Sequence, residues 1–181
     1  MIQEEFDFYR PCKLLQPYVR YYWILEDGAD VSVSERTLPT GCIQLVFHRG
    51  KRLLLVGKKE SQPQAFICGQ CLNFSDVMSA GKIEMITVVF QPYAAIAILQ
   101  LPLKFFYGEL IAVDAIEDLE LSILSRKVIE ADDHETCIRL IEQFLIHRLY
   151  RFEGYEYNLK RISAVLSLIH ISEPTRPRLI S

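Results

Sequence analysis

Long apolar runs are missing from this chain. None approaches the ~18 residues that a membrane-crossing helix needs, so no helical membrane span is predicted. The amino terminus, Met1-Ile2-Gln3-Glu4-Glu5-Phe6-Asp7, is acidic and lacks the apolar stretch of a signal peptide, which predicts a cytoplasmic protein. Positive charge is not in excess either. A formal net charge of −3 gives no global basic field to draw the chain onto nucleic acid or acidic lipid. Histidine is scarce, four in 181 residues, and only His48 falls in the strand-rich part. The cluster of two or three histidines and a carboxylate used by metal-dependent cupin enzymes is therefore absent, and no metal or cofactor is expected. There is no GxGxxG, no GxxxxGKS/T and no GxSxG, so the dinucleotide, P-loop and serine-elbow signatures are all lacking. Five cysteines, an odd number, define no disulfide framework. Cys68-Gly69-Gln70-Cys71 is a CxxC, but no helix follows to stabilise a thiolate and no second pair completes a zinc site.

What is present is the balance of a folded domain: 50% hydrophobic and 24% charged residues, enough for one sizeable core. From about Val19 to Gln91 the pattern is of short strands. Val19–Leu25, Cys42–His48, Arg52–Val56, Ala65–Cys68, Leu72–Val77 and Ile83–Phe90 are rich in branched and aromatic residues and separated by turn residues. The segment His48-Arg49-Gly50-Lys51-Arg52 reads as a tight hairpin, with His48 at a strand end or surface and the basic residues on an exposed edge. After Pro92 the period changes to helical. Tyr93–Leu101 reads as a short buried helix ended by Pro102. Asp118 is the expected N-cap of a second, with Leu121, Leu124 and Val128 on one face. A third begins at the capping-box pair Asp132 and Glu135, and its core stripe is Ile138, Ile141, Leu145, Leu149 and Phe152.

The resulting expectation is an α+β domain, a cupin-like or jelly-roll antiparallel β-barrel or sandwich followed by a helical hairpin. Residues 1–92 form the strand-rich part and 93–154 the helical part, with a new helix opening at 155–165. The last stretch, 166–181, reads LSLIHISEPTRPRLIS and stands apart. Up to Arg176 it is similar, residue for residue, to an in-frame translation of a transposase end adapter used in preparing sequencing libraries. Its two prolines also oppose continuing the preceding helix, so this tail is expected to be foreign and to add no stability.

Several fragments carry a family resemblance in their order and spacing. They are Pro11, Leu14, Pro17-Tyr18-Val19 and Tyr22-Trp23; then Leu38 to Phe47 (LPTGCIQLVF) and Ile67-Cys68-Gly69; then Val89-Phe90-Gln91-Pro92-Tyr93-Ala94 and Leu101-Pro102. Together, over roughly residues 11–152, they resemble the N-terminal regulatory domain of bacterial AraC-type transcriptional regulators. Thr40 departs from the aspartate usual before that glycine. The resemblance implies an effector-sensing and dimerising half whose DNA-binding half, a pair of helix-turn-helix units, is missing after residue 165. Asn158–Val165 resembles the opening of that region, and DNA would be bound only through the missing part. The expected partners are an unknown small-molecule effector and a second copy of the chain. Trp23, Phe47 and Phe90 are the ligand-pocket candidates, chosen as aromatic residues for a barrel mouth. Cys137, Phe144 and Ile146 are the dimer-interface candidates, being apolar positions beyond the main stripe of the third helix. No catalytic residue is expected. The rival reading is a small metal-free cupin-like enzyme or isomerase.

Overall fold

The computed structural model describes residues 5–28, 34–37, 41–70, 74–79, 81–92, 94–102, 108 and 110–151. Leu38, Pro39, Thr40, Cys71, Phe152, Asn158–Val165 and the whole tail lie outside the described residues.

Branched and aromatic residues in alternation make the longest strands. The described residues contain ten strands: β1 (Glu5–Tyr9), β2 (Val19–Asp27), β3 (Ser34–Thr37), β4 (Gln44–His48), β5 (Leu54–Leu55), β6 (Glu60–Ser61), β7 (Ala65–Cys68), β8 (Ser75–Met78), β9 (Ile83–Phe90) and β10 (Leu110–Ala112). They form a six-stranded sheet in the order β1-β2-β9-β4-β7-β10 and a four-stranded sheet in the order β3-β8-β5-β6. Every pairing is antiparallel. β9 is central, pairing with β2 on one side and β4 on the other, and its sequence IEMITVVF is buried over nearly its whole length. Three helices are found among the described residues, α1 (Ala94–Leu99), which precedes β10, then α2 (Leu119–Glu130) and α3 (His134–Arg151), with a 3-10 turn at Val113–Ala115.

Alternation divides the side chains of the large sheet between two layers. Tyr22 and Ile24 of β2, Leu45 and Phe47 of β4, and Ile86, Val88 and Phe90 of β9 join α1, α2 and α3 in the main core. Leu25, Val46, Phe66, Ile83 and Met85 point the other way and meet Leu53 and Val77 from the small-sheet side. The six-stranded sheet is thus covered by helices on one face and by the four-stranded sheet on the other.

The helices sit as their caps and stripes dictate. Asp118 caps α2, its carboxylate accepting from the Leu121 amide at 3.0 Å, and Leu121, Leu124 and Val128 are buried. α3 starts one residue later than the Asp132–Glu135 spacing implies. Asp133 accepts from the amide and the hydroxyl of Thr136, and those bonds hold its carboxyl below the ordinary range. The buried stripe of α3 is Cys137, Ile141, Leu145 and Leu149, so Cys137 joins the core and Ile138 flanks it. Arg148 ties the helical layer together: its guanidinium bonds both oxygens of Asp118 at 2.6 Å and the Leu99 carbonyl at 3.1 Å. Glu142 ties α3 to the sheet, accepting from the Cys12 amide at 2.8 Å and the Tyr22 hydroxyl at 3.3 Å.

The 48–52 segment is not a tight hairpin. β4 and β5 belong to different sheets, and the chain between them runs along the start of β9, with Arg49 and Gly50 amides bonded to the Glu84 carbonyl and Lys51 to that of Lys82. Gly50 is needed for that approach, since a Cβ there would stand 2.6 Å from the Glu84 nitrogen and 2.8 Å from the Lys82 oxygen. Arg49 is correspondingly not an exposed edge residue. Its side chain is 9% exposed and pairs with Glu84 and the Ala131 carbonyl. Strands β1, β3, β6 and β10 are further additions to the sequence reading, each short, polar or lacking regular turn signals.

Candidate functional site

The layer between the two sheets holds polar groups that the helix-facing layer does not. Its positions follow from register. Trp23 lies opposite Thr87, Thr87 opposite Val46, and Val46 opposite Phe66, so these four side chains form one cross-strand row on the face toward the small sheet. Phe8 of the edge strand extends the row beyond Trp23 and is two-thirds exposed. The next row on the same face contains Leu25, Met85 and His48. Thr87 and His48 are diagonal neighbours on adjacent strands, a separation of about 7–8 Å between Cα atoms in antiparallel pairs.

Both residues are fully buried, at 0% exposure, and each carries an atom without a hydrogen-bond partner: Thr87 Oγ1 and His48 Nδ1. The His48 ring is fixed on two sides. Phe66 lies against it with centroids 5.8 Å apart, and Nε2 meets the Gln62 carboxamide oxygen at 2.9 Å. An amide oxygen only accepts, so Nε2 carries the hydrogen and Nδ1 presents a lone pair. Burial pushes the imidazole pKa down; the Gln62 bond opposes this, and Arg52 adds to the lowering. His48 is thus held as a neutral acceptor at physiological pH. A buried hydroxyl left unpaired costs about 1–3 kcal/mol, so Thr87 is an expensive residue to keep in an otherwise apolar layer. Most such groups in native proteins have a partner, in the protein or in ordered water.

The aromatic residues expected at a pocket do not share one place. Trp23 is half-buried against the inter-sheet cluster, in the same row as Thr87. Phe47 and Phe90 are fully buried on the opposite face, in the core beneath the helices, so their rings do not line the layer that holds Trp23. Alternation is the reason. In Cys42–His48 the even positions Gln44, Val46 and His48 share a face and Phe47 takes the other. His48, read from the sequence as a strand-end or surface residue, is buried because this same parity turns it toward the small sheet. The signal for Thr87 was a single hydroxyl residue within Ile83–Phe90, placed among branched neighbours that gave it no distinction.

The interface candidates on α3 divide similarly. Cys137 is fully buried, with its thiol directed at the Val128 carbonyl at 3.4 Å, and burial raises its pKa. It offers no surface to a partner. Phe144 is half-buried beneath the Arg148 guanidinium, 4.9 Å from the ring centroid, and Ile146 is half-buried against the main core. Large exposed apolar side chains on the helices are Ile96 of α1, Leu119 and Ile123 of α2, which stand one helical turn apart, and Tyr150 of α3. Of the CxxC pair, Cys68 is half-buried with its thiol toward the Gly69 carbonyl. No described helix is long and apolar enough to cross a membrane.

The inter-sheet site has a hydroxyl that donates or accepts, an imidazole lone pair that accepts, and an aromatic flank. That set suits recognition of a hydrogen-bonding group on a small uncharged molecule. Comparison with curated proteins and with solved structures returned no match. A family model, described as a domain of unknown function (DUF6597), matches residues 7–112, the part that contains the large sheet, α1 and every residue of the inter-sheet site. The chain belongs to the DUF6597 family.

Proposed function

We propose that this chain is the effector-sensing and pairing half of a transcription regulator of the AraC type, its two sheets forming a cupin-like sandwich that takes a small uncharged molecule between them. The observation that supports it most is the pair of buried, unpartnered polar atoms, Thr87 Oγ1 and His48 Nδ1, in a layer built largely from apolar side chains. The order of sequence fragments resembling the AraC regulatory domain supplies the functional context. An effector bound there changes the spacing of paired sensor halves and, through them, of the DNA-binding units. Pairing is assigned to the outer side of the helical layer, where Leu119 and Ile123 are exposed.

A thermal-shift screen of uncharged small molecules against the full chain tests the sensing role. Molecules that raise the melting temperature of the wild type should lose that effect in Thr87→Val and His48→Gln. Stabilising molecules indifferent to both substitutions would remove the proposed site. For the pairing role, sedimentation of the wild type and Leu119→Glu should show a dimer and a monomer. A wild type that stays monomeric at tens of micromolar would overturn it.

A further inference from the structure

Away from the inter-sheet site, at the seam between the large sheet and the helices, three side chains converge from distant parts of the chain. Glu26 comes from β2, Glu84 from β9, and His134 is the first residue of α3. His134 Nε2 lies 3.0 Å from Glu26 Oε1 and 3.3 Å from Glu84 Oε1, and the three donor atoms all fall within 4.8 Å of one another. We propose that these residues form a binding site for one divalent transition-metal ion of the zinc class, which clamps the start of α3 to β2 and β9.

The spacing fits that ion. Bonds of 2.0–2.2 Å in a tetrahedral site set its donors about 3.3–3.6 Å apart, close to what the imidazole nitrogen already makes with both carboxylates. The donor set of one imidazole and two carboxylates is one that zinc accepts, with room left for water on the exposed side of Glu26. An imidazole nitrogen carries at most one hydrogen, and here two carboxylate oxygens face it, whereas an ion at their centre serves all three. Arg49 completes the surroundings. It bonds Glu84 and, through its other nitrogen, the Ala131 carbonyl between α2 and α3. Arg49 bonds the same Glu84 oxygen, Oε1, that faces His134, and because a carboxylate oxygen has two lone-pair sites that atom can take the ion on one while Arg49 fixes it through the other, as outer-shell partners do. The fixed charges around the site are two carboxylates against one guanidinium, a balance that favours a divalent cation.

Titration of the full chain with zinc chloride, followed by calorimetry and thermal melting, tests the site. The expected result is one equivalent bound with a rise in melting temperature, and at least a ten-fold loss of affinity in Glu26→Gln and in His134→Ala. Glu26 is about half exposed, so its amide variant keeps the fold. Cobalt in place of zinc should give a spectrum free of thiolate charge-transfer bands. No binding by the wild type, equal binding by both variants, or thiolate bands that reveal capture by cysteines would each overturn the proposal. The effector reading above stands or falls separately, since its variants touch neither Glu26 nor His134.

Discussion

The two faces of the six-stranded sheet are made from alternate residues of the same strands, yet they are built to different standards. The helix-facing side is continuous: Tyr22, Leu45, Phe47, Ile86, Val88 and Phe90 are at 0% exposure, and the one hydroxyl among them bonds Glu142. Burial, reinforced by the Glu142 carboxylate, raises the Tyr22 phenol well above its ordinary pKa, so it stays a neutral donor. The side facing the small sheet mixes Leu25, Val46 and Phe66 with Thr87, His48 and a half-buried Trp23. Two of its buried polar atoms have no partner. Uninterrupted apolar packing serves stability, and unpaired polar atoms in a buried layer oppose it.

Substitutions on the two faces should separate these roles. The largest loss is expected from Phe47→Ala, which empties a fully buried aromatic site under the helices and should cost about 3–5 kcal/mol in urea unfolding. A loss below 1 kcal/mol would mean that the helix-facing layer is not the stability core. Next is Arg148→Leu. With side-chain exposures of 11% for Arg148 and 12% for Asp118, the change leaves a nearly buried carboxylate without its cation. About 3 kcal/mol should be lost, with α2 and α3 melting first by hydrogen exchange.

On the other face the sign reverses. Thr87→Val keeps the shape and deletes the unpaired hydroxyl, so the ligand-free protein should gain about 1 kcal/mol. A destabilised Thr87→Val would show that the hydroxyl is already satisfied, for instance by buried water, and would equalise the two faces. The smallest effect is one of pH. The folded-state pKa of His48 lies below its ordinary value near 6.5, so the unfolded chain takes up the proton more readily. This stability is intact above about pH 6.5 and declines as the pH falls through that value toward the lower folded-state pKa. Comparison of urea midpoints at pH 7.5 and 5.5 should show a smaller drop in His48→Gln than in the wild type. Equal drops would mean that His48 does not remain neutral in the fold.

Local patterns were legible where one element suffices to set them. Ala65–Cys68 and Ile83–Phe90 are the strands that composition and turn residues delimit, and Asp118 caps α2 as its position predicts. The helix pattern of α3 was also visible, though its cap is Asp133 and its buried stripe includes Cys137. Ile141, Leu145 and Leu149 face inward as read, and the residue one turn before them at a four-residue step is Cys137, with Ile138 flanking it. The candidate site was less accessible. Trp23 belongs to the inter-sheet layer, but Phe47 and Phe90 were grouped with it by residue type, and strand parity separates them.

By itself the sequence determined the strand-rich first half, the Asp118 cap, the period of each long element and the absence of a long apolar helix. These depend on neighbours within a few residues, where propensity, capping and alternation act. Only the tertiary structure decided which face of each strand meets helices, that Arg49 and His48 are buried, and that Glu26, Glu84 and His134 come together. Glu84 stands 58 residues from Glu26 and 50 before His134, and their meeting depends on the β2–β9 pairing and the seat of α3 on the sheet. No local rule carries such a contact, because the energy that selects it is the burial of whole faces against each other.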